Sequence, residues 1–192
     1  MIFEATPLCG AFVVRPERRD DERGFFARTW CRDEFAAHGI ALDMVQASLS
    51  YNREAGTLRG LHFARPPASE AKLVRCERGS IFDVIVDLRP KSASYLMHVA
   101  QLLDEKGGAA LYVPAGVAHG FQTLADDSTV CYMMSETYRP ELAEGVRYDD
   151  EAFGIKWPAP VSVIAERDRG YPDFDASGHA ARFGAAQLEE ID

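Results

Sequence analysis

Closely spaced cysteines are missing from this sequence. Only four of its 192 residues are cysteine, and they lie far apart, at Cys9, Cys31, Cys76 and Cys131. Without a Cys-x-x-Cys pair, the sequence predicts neither a zinc knuckle nor a disulfide framework. We therefore expect four reduced thiols, most of them buried.

An excess of positive charge is missing too. The chain carries 21 Lys and Arg residues against 30 Asp and Glu residues, which gives a net charge of −9. A nucleic-acid-binding surface needs Lys and Arg in excess on one face, because it neutralises backbone phosphates. The composition therefore argues against a nucleic-acid partner, whereas a small anionic substrate needs only a few local cations.

Long apolar runs are also absent. Pro and charged residues interrupt every hydrophobic stretch before it approaches the roughly 18 residues of a membrane helix, so we expect no membrane role. The first residues carry an acid at Glu4, no basic start and no apolar run long enough for a signal peptide. We therefore expect the protein to stay in the cytoplasm.

The apolar residues that are present fall into short runs typical of β-strands. Runs at 72–77 and 81–88 are rich in β-formers, and the segment Arg78-Gly79-Ser80 between them predicts a hairpin. Further strands are predicted at 96–103, 109–113 and 129–137, each bounded by Gly, Asp or Pro. This spacing predicts an all-β fold that is closed or sandwiched and antiparallel.

Helix is scarce in the pattern. A short helix is predicted at 32–38, ended by Gly39, and the C-terminal residues 176–192 predict a helix or a frayed tail. The sequence contains no repeat, low-complexity segment or linker. We therefore expect a single domain over residues 1–192.

Residues 108–119 spell Gly-x-x-x-x-x-Pro-x-Gly-x-x-His, a spacing that resembles the second motif of cupins and ends at His119. A metal-binding cupin also needs a first motif with two histidines, so that at least three ligands lie on one face. The first segment here, Arg59-Gly60-Leu61-His62-Phe63, holds only one histidine. We therefore expect neither a metal nor another cofactor.

Four polar residues near these motifs need another explanation: Arg59, His62, Lys72 and His119. Any one of them alone could be a salt-bridge partner or a satisfied core residue. Together, in otherwise apolar segments, they are typical of an anion-binding pocket that contains a base.

Six stretches of the chain form a recognisable series: DERGFF from Asp21, GTLRGLHF from Gly56, KLVRC from Lys72, IFDVIVDLR from Ile81, VPAGVAHGF from Val113 and GIKWP from Gly154. In these stretches and in their order, over about residues 10–172, the chain resembles the dTDP-4-dehydrorhamnose 3,5-epimerase family of the cupin superfamily. The resemblance implies a jelly-roll homodimer that inverts carbons beside a 4-keto group on a nucleotide-linked deoxyhexose, in deoxysugar or surface-polysaccharide biosynthesis.

The resemblance also implies roles for four residues. His62 matches the family's base, Asp168 the carboxylate that orients it, and Tyr132 the acid. A ketone acidifies the protons on its neighbouring carbons, so an imidazole can remove one and a phenol on the opposite face can return it with inversion. Lys72 matches a lysine beside the keto oxygen, where a cation stabilises the developing enolate.

Substrate contacts are implied for eight further residues: Arg23, Arg28, Gln46, Ser48, Arg59, His119, Glu144 and Arg167. Arg59 and His119 resemble groups that hold the diphosphate and the sugar, and Arg23 is expected to reach the site of the partner subunit. Arginine suits phosphate because its fork donates two parallel hydrogen bonds.

Several positions depart from the family pattern. Gln46-Ala47-Ser48-Leu49-Ser50 stands where the family commonly reads Gln-Asp-Asn-His-Ser, Arg28 where a Glu is common, and Glu70 where a Gln is usual. The resemblance implies that nucleotide contacts cluster in these stretches, so the departures allow a base or sugar other than the usual thymidine substrate. The resemblance implies inversion at C3, at C5 or at both carbons.

Three other functions stay open at this point. A keto-isomerase on a related nucleotide sugar would use a His base but would not need a phenol opposite it. A non-catalytic sugar-nucleotide-binding cupin would bind without deuterium uptake from solvent. A metal-dependent cupin enzyme would contain a divalent ion.

Overall fold

The computed structural model describes residues 1–186 as strands with a few short helices. The strands are β1 (Ile2–Ala5), β2 (Phe12–Arg15), β3 (Arg18–Asp21), β4 (Gly24–Ala27), β5 (Gln46–Asn52), β6 (Thr57–Ala64), β7 (Lys72–Arg78), β8 (Ser80–Asp87), β9 (His98–Asp104), β10 (Ala110–Val113), β11 (Val117–Thr123), β12 (Ser128–Met134), β13 (Ala143–Gly145) and β14 (Val163–Ile164). The helices are α1 (Arg32–Ala36), α2 (Glu166–Arg169) and α3 (Ala176–Ala186), with a 3-10 turn at Pro140–Leu142.

Two sheets form the body of the protein. The first has the strand order β1-β2-β10-β7-β12-β5, and the second has the order β13-β6-β11-β8-β9. Neighbours in both sheets are antiparallel, while β14 adds to β6 in parallel. A separate hairpin of β3 and β4 completes the described strands. The predicted all-β, antiparallel jelly-roll architecture is confirmed.

The core lies between the two sheets. Its members come from both of them, as Val74 of β7 and Ile85 of β8 illustrate, and both are fully buried. The outer face of the first sheet is covered by α1 through Phe35. The outer face of the second sheet is covered by the loop that carries Phe153 and by Phe183 of α3.

The predicted hairpin between β7 and β8 is wrong. β7 pairs with β10 and β12 in the first sheet, whereas β8 pairs with β9 and β11 in the second. Gly79 alone joins the two strands, with φ 77°, and a tight hairpin needs at least two loop residues. The turn therefore carries the chain from one sheet to the other.

Other predicted bounds differ by a few residues. The helix predicted at 32–38 ends at Ala36, and the strand predicted at 129–137 spans Ser128–Met134. The C-terminal helix is present as α3, and its predicted continuation over 187–192 lies outside the described residues. Within residues 1–186, the helices are too short or too polar to cross a bilayer.

Candidate active site

A cleft of about 740 Å³ opens between the two sheets. Strands β5, β6, β7, β11 and β12 line it together with the segments 136–143 and 163–168. The structure brings these sequence-predicted residues to the cleft: Gln46, Ser48, Arg59, His62, Lys72, His119, Tyr132, Arg167 and Asp168. Residues far apart in the chain therefore meet on one surface, as a binding pocket requires.

A bulge in β6 places two of these residues in the cleft. His62 pairs with His119 and Arg59 with Phe121 of β11, so β6 carries one residue more than its partner. Such an extra residue breaks the strict alternation of side chains. It explains how Arg59 and His62, an odd number of positions apart, both line the cleft.

The bulge depends on glycine. Gly60 has φ 120°, and a Cβ there would lie 2.6 Å from the Cα of Gly120 and 2.8 Å from the carbonyl oxygen of His119. No other residue fits such a close approach between two strands. The Gly60 N–H, turned by this geometry, donates to Asp168 Oδ2 at 3.1 Å.

His62 and Asp168 form a dyad. Nε2 of His62 lies 2.8 Å from Oδ1 of Asp168, which is carried by α2 and is 3% exposed. Burial raises the pKa of Asp168, but hydrogen bonds from His62, the Gly60 N–H and Arg167 hold it below the ordinary value. A carboxylate in this position orients the imidazole and favours the tautomer that carries its proton on Nε2.

A second dyad lies deeper, between His119 and Asp83. Nε2 of His119 is 2.7 Å from Oδ1 of Asp83, and both side chains are buried. Burial raises the pKa of Asp83, although the contact with His119 acts in the opposite direction. Oδ2 of Asp83 has no hydrogen-bond partner within residues 1–186. Asp83 was not among the predicted site residues. Its signal in the sequence is a carboxylate inside the apolar run 81–88.

Tyr132 faces the cleft from the sheet opposite His62. It belongs to β12 of the first sheet, whereas His62 belongs to β6 of the second. Its ring meets that of His119 edge-on, with centroids 5.7 Å apart. Burial and the charge of Asp83 raise the pKa of the Tyr132 phenol far above its ordinary value. The phenol therefore carries its proton at neutral pH.

Lys72 contacts both His62 and the carboxylate of Glu70. Its Nζ is 3.2 Å from Oε1 of Glu70 and donates to the carbonyl oxygen of His62 at 3.4 Å. The side chains of Lys72 and Glu70 are each 11% exposed. Glu70 also lines the cleft, although the sequence showed it only as a departure from a common Gln.

Four cationic side chains line the cleft: Arg59, Lys72, Arg139 and Arg167. Three of them pair with carboxylates that line it too, namely Glu70, Glu136 and Asp168. Arg59 instead donates from Nε to Asn52 Oδ1 at 2.7 Å, and it makes no ion pair within residues 1–186. Its charge is therefore available to an anionic ligand.

Three predicted substrate contacts lie outside this cleft. Arg23, in the turn between β3 and β4, is 85% exposed and pairs with Asp21. Arg28 pairs with Glu34 at 2.7 Å, and Glu144 pairs with Arg65 at 3.2 Å, each in another surface cleft.

Arg28 and Glu144 therefore do not line the cleft that holds His62, and their predicted contacts with substrate stay predictions. Glu144 lies on β13, where it pairs with Phe63 and not with His62. Arg28 directly follows β4, and the hairpin of β3 and β4 belongs to neither large sheet. Arg23 was expected to act on a partner subunit and stays a prediction.

The histidines of the cleft do not converge on one point. His62 and His119 each pair with a different carboxylate, from α2 and β8 respectively. Among residues 1–186, no group of three or more His, Cys, Asp and Glu side chains is placed to hold a metal ion. The geometry instead presents two imidazole–carboxylate dyads, one phenol and several cations.

Comparisons with known proteins match most of the chain. A family model described as dTDP-4-dehydrorhamnose 3,5-epimerase matches residues 5–176. The dTDP-4-dehydrorhamnose 3,5-epimerase of Mycolicibacterium smegmatis is 42% identical over 170 residues, which cover 86% of this chain and 82% of the relative. The dTDP-4-dehydrorhamnose 3-epimerase of Streptomyces niveus is 39% identical over 161 residues, 83% of this chain and 77% of the relative. The solved structure of the rmlC epimerase of Mycobacterium tuberculosis is similar with a TM-score of 0.89 at 36% identity, covering 100% of both chains.

Proposed function

The chain belongs to the dTDP-4-dehydrorhamnose 3,5-epimerase family, and we propose that it inverts one or both carbons beside the 4-keto group of a nucleotide-diphosphate-linked 6-deoxyhexose. One observation carries this proposal: a histidine oriented by a carboxylate and a protonated tyrosine face the same cleft from opposite sheets. Inversion needs an acid and a base on opposite sides of one carbon.

The proposed reaction begins with proton removal. The keto group acidifies the neighbouring C–H, and His62, held by Asp168, takes the proton while Lys72 stabilises the enolate oxygen. Tyr132 then donates a proton from the other wall, which inverts the carbon. A keto-isomerase would not need Tyr132 in this place. The chemistry requires only these side chains, so we propose no cofactor.

The proposed substrate is anchored at Arg59. Arg59 is a cation of the cleft whose partners among the described residues are all neutral. A guanidinium binds phosphate by paired hydrogen bonds. Gln46 Oε1 accepts the N–H of Tyr138 at 3.1 Å, so the amide of Gln46 remains to donate to a nucleobase carbonyl. His119 and Ser48 are proposed to contact the sugar and the nucleotide.

We also propose a homodimer in which Arg23 reaches the site of the partner subunit. β5 is an edge strand of the first sheet beside the cleft, and it exposes Leu49 by 71% and Tyr51 by 52%. The β3–β4 hairpin exposes Phe26 by 71%. Apolar side chains on an open edge are typical of an interface. A cytoplasmic location is proposed with it, since four free thiols suit a reducing compartment.

The test is proton exchange in D₂O. Purified protein is incubated with dTDP-, UDP-, CDP- and GDP-linked 4-keto-6-deoxyhexoses, and deuterium at C3 and C5 is followed by NMR. We expect uptake at one or both carbons with at least one nucleotide, and this also tells a 3-epimerase from a 3,5-epimerase.

His62→Asn should slow uptake by about 10² to 10⁴-fold, as the loss of a general base does. His98→Asn, a change in a histidine of β9 outside the cleft, is the matched control and should leave uptake unchanged. Absence of uptake with all four nucleotides would contradict the proposed function.

A further inference from the structure

Nε2 of His62 lies within hydrogen-bond distance of two partners. Oδ1 of Asp168 is 2.8 Å away, and Nη2 of Arg167 is 3.1 Å away. Arg167 also donates from Nε to the same Oδ1 at 3.2 Å. The guanidinium of Arg167 therefore contacts both members of the dyad while it lines the cleft.

These two partners make opposite demands on the imidazole. A guanidinium can only donate hydrogen bonds, and an ionised carboxylate can only accept them. A proton on Nε2 satisfies Asp168 and leaves the lone pair on Nδ1, which can then accept a proton from a substrate. A proton on Nδ1 leaves a lone pair on Nε2, which accepts a hydrogen bond from Arg167. Nδ1 then has no lone pair, so this tautomer cannot act as the base through Nδ1.

Arg167 is the partner that is free to leave. Its side chain is 63% exposed, whereas that of Asp168 is 3% exposed and is anchored by the N–H of Gly60. The dyad offers Arg167 one ring nitrogen at 3.1 Å and one carboxylate oxygen at 3.2 Å, whereas a diphosphate offers several charged oxygens to the guanidinium fork in paired, charge-assisted hydrogen bonds. A diphosphate in the cleft therefore competes with the dyad for Arg167.

We propose that Arg167 is a positioning residue that couples substrate binding to the tautomer of His62. In the free protein it holds part of the His62 population with the proton on Nδ1. The diphosphate of the substrate draws Arg167 away, Asp168 becomes the only partner of Nε2, and the reactive tautomer is fixed. This inference deepens the proposed function and rests on it.

The experiment measures the tautomer directly. The ¹⁵N shifts of histidine-labelled protein are recorded at about pH 8, above the ordinary histidine range, alone and with saturating pyrophosphate or dTDP. His62→Asn assigns the His62 signals among the five histidines. Arg167→Met removes the guanidinium and keeps an apolar chain, and Arg169→Met on the exposed side of the same helix is the matched control.

We expect at least about a tenth of the free wild-type rings to carry the proton on Nδ1 and to shift to Nε2–H with either anion. The Arg167→Met variant should be Nε2–H with and without anion, while Arg169→Met should behave as wild type. If free wild-type protein is entirely Nε2–H, if neither anion shifts the ring, or if Arg167→Met responds as wild type does, the proposal is overturned.

The outcome is separable from that of the proposed function. If deuterium enters the substrate while the tautomer ignores Arg167, the epimerase proposal stands and only the coupling is refuted. If Arg167 served substrate binding alone, Arg167→Met would raise KM without changing the tautomer. If deuterium enters no substrate, the proposed function itself fails, whatever the tautomer shows.

Discussion

Asp87, at the end of β8, should stabilise the protein in a pH-dependent way. Its side chain is fully buried and accepts hydrogen bonds from Arg89 Nε and Nη2, each at 2.8 Å, and from the hydroxyls of Ser92 and Ser94, each at 2.6 Å. Burial raises its pKa, but these donors outweigh burial and lower the pKa from 3.8 to about 2. This difference in pKa between the unfolded and folded states is equivalent to about 2 kcal/mol in favour of the folded state.

The sign follows from the direction of the shift. Because the folded pKa is below the unfolded one, the contribution is complete above about pH 4 and is lost as the pH falls towards 2, with about half gone near pH 3. Asp87→Asn should therefore lower the free energy of unfolding by about 2 kcal/mol at pH 7 and by about 1 kcal/mol at pH 3.

Urea unfolding followed by circular dichroism at several pH values checks this prediction. Asp20→Asn, a change in an exposed acid of β3, is the matched control and should have little effect at any of these pH values. A loss at Asp87 that stays constant from pH 7 to pH 3, or that is below about 0.5 kcal/mol at pH 7, would refute the reasoning.

Three further changes test the cleft. Arg59→Met should weaken binding of dTDP about 10- to 100-fold, as loss of a charge-assisted pair does. Isothermal titration calorimetry measures this Kd, and an unchanged value would contradict the prediction. Gly60→Ala should lower thermal stability and abolish deuterium uptake, since its Cβ would lie 2.6 Å from the Cα of Gly120; a variant with the wild-type melting temperature and activity would show that the bulge tolerates a side chain. If Arg23 acts on the partner subunit, mixing inactive Arg23→Ala and His62→Asn subunits should restore about a quarter of the sites in a random dimer, and no recovery after proven exchange would place Arg23 elsewhere.

The sequence predicted the fold class because local signals sufficed for it. Short apolar runs bounded by turn residues indicated β7, β8, β10 and β12. The same signals misled at Gly79, since a turn glycine shows that the chain reverses but not which sheet receives it. β3, with the sequence Arg-Arg-Asp-Asp and all four residues exposed, has no apolar alternation to reveal it.

The site was accessible to the sequence mainly through the resemblance. Nine predicted residues meet in one cleft, although their roles stay predictions. Asp83 and Glu70 were missed as site residues. Asp83 pairs with His119 and Glu70 pairs with Lys72, and these pairings depend on strand register and side-chain packing, which the sequence pattern does not show. Arg167 was predicted to bind substrate, but its contact with His62 depends on where α2 lies against β6, which no local pattern encodes.

The central claim is that His62 removes a proton on one face of the sugar and Tyr132 returns one on the other. The most direct measurement is Tyr132→Phe in D₂O, with deuterium uptake and product configuration followed together by NMR. The account predicts that this variant still exchanges the proton beside the keto group but returns it with retention, because His62 remains and the opposite wall has lost its donor. Full inversion at the wild-type rate by Tyr132→Phe would contradict the account.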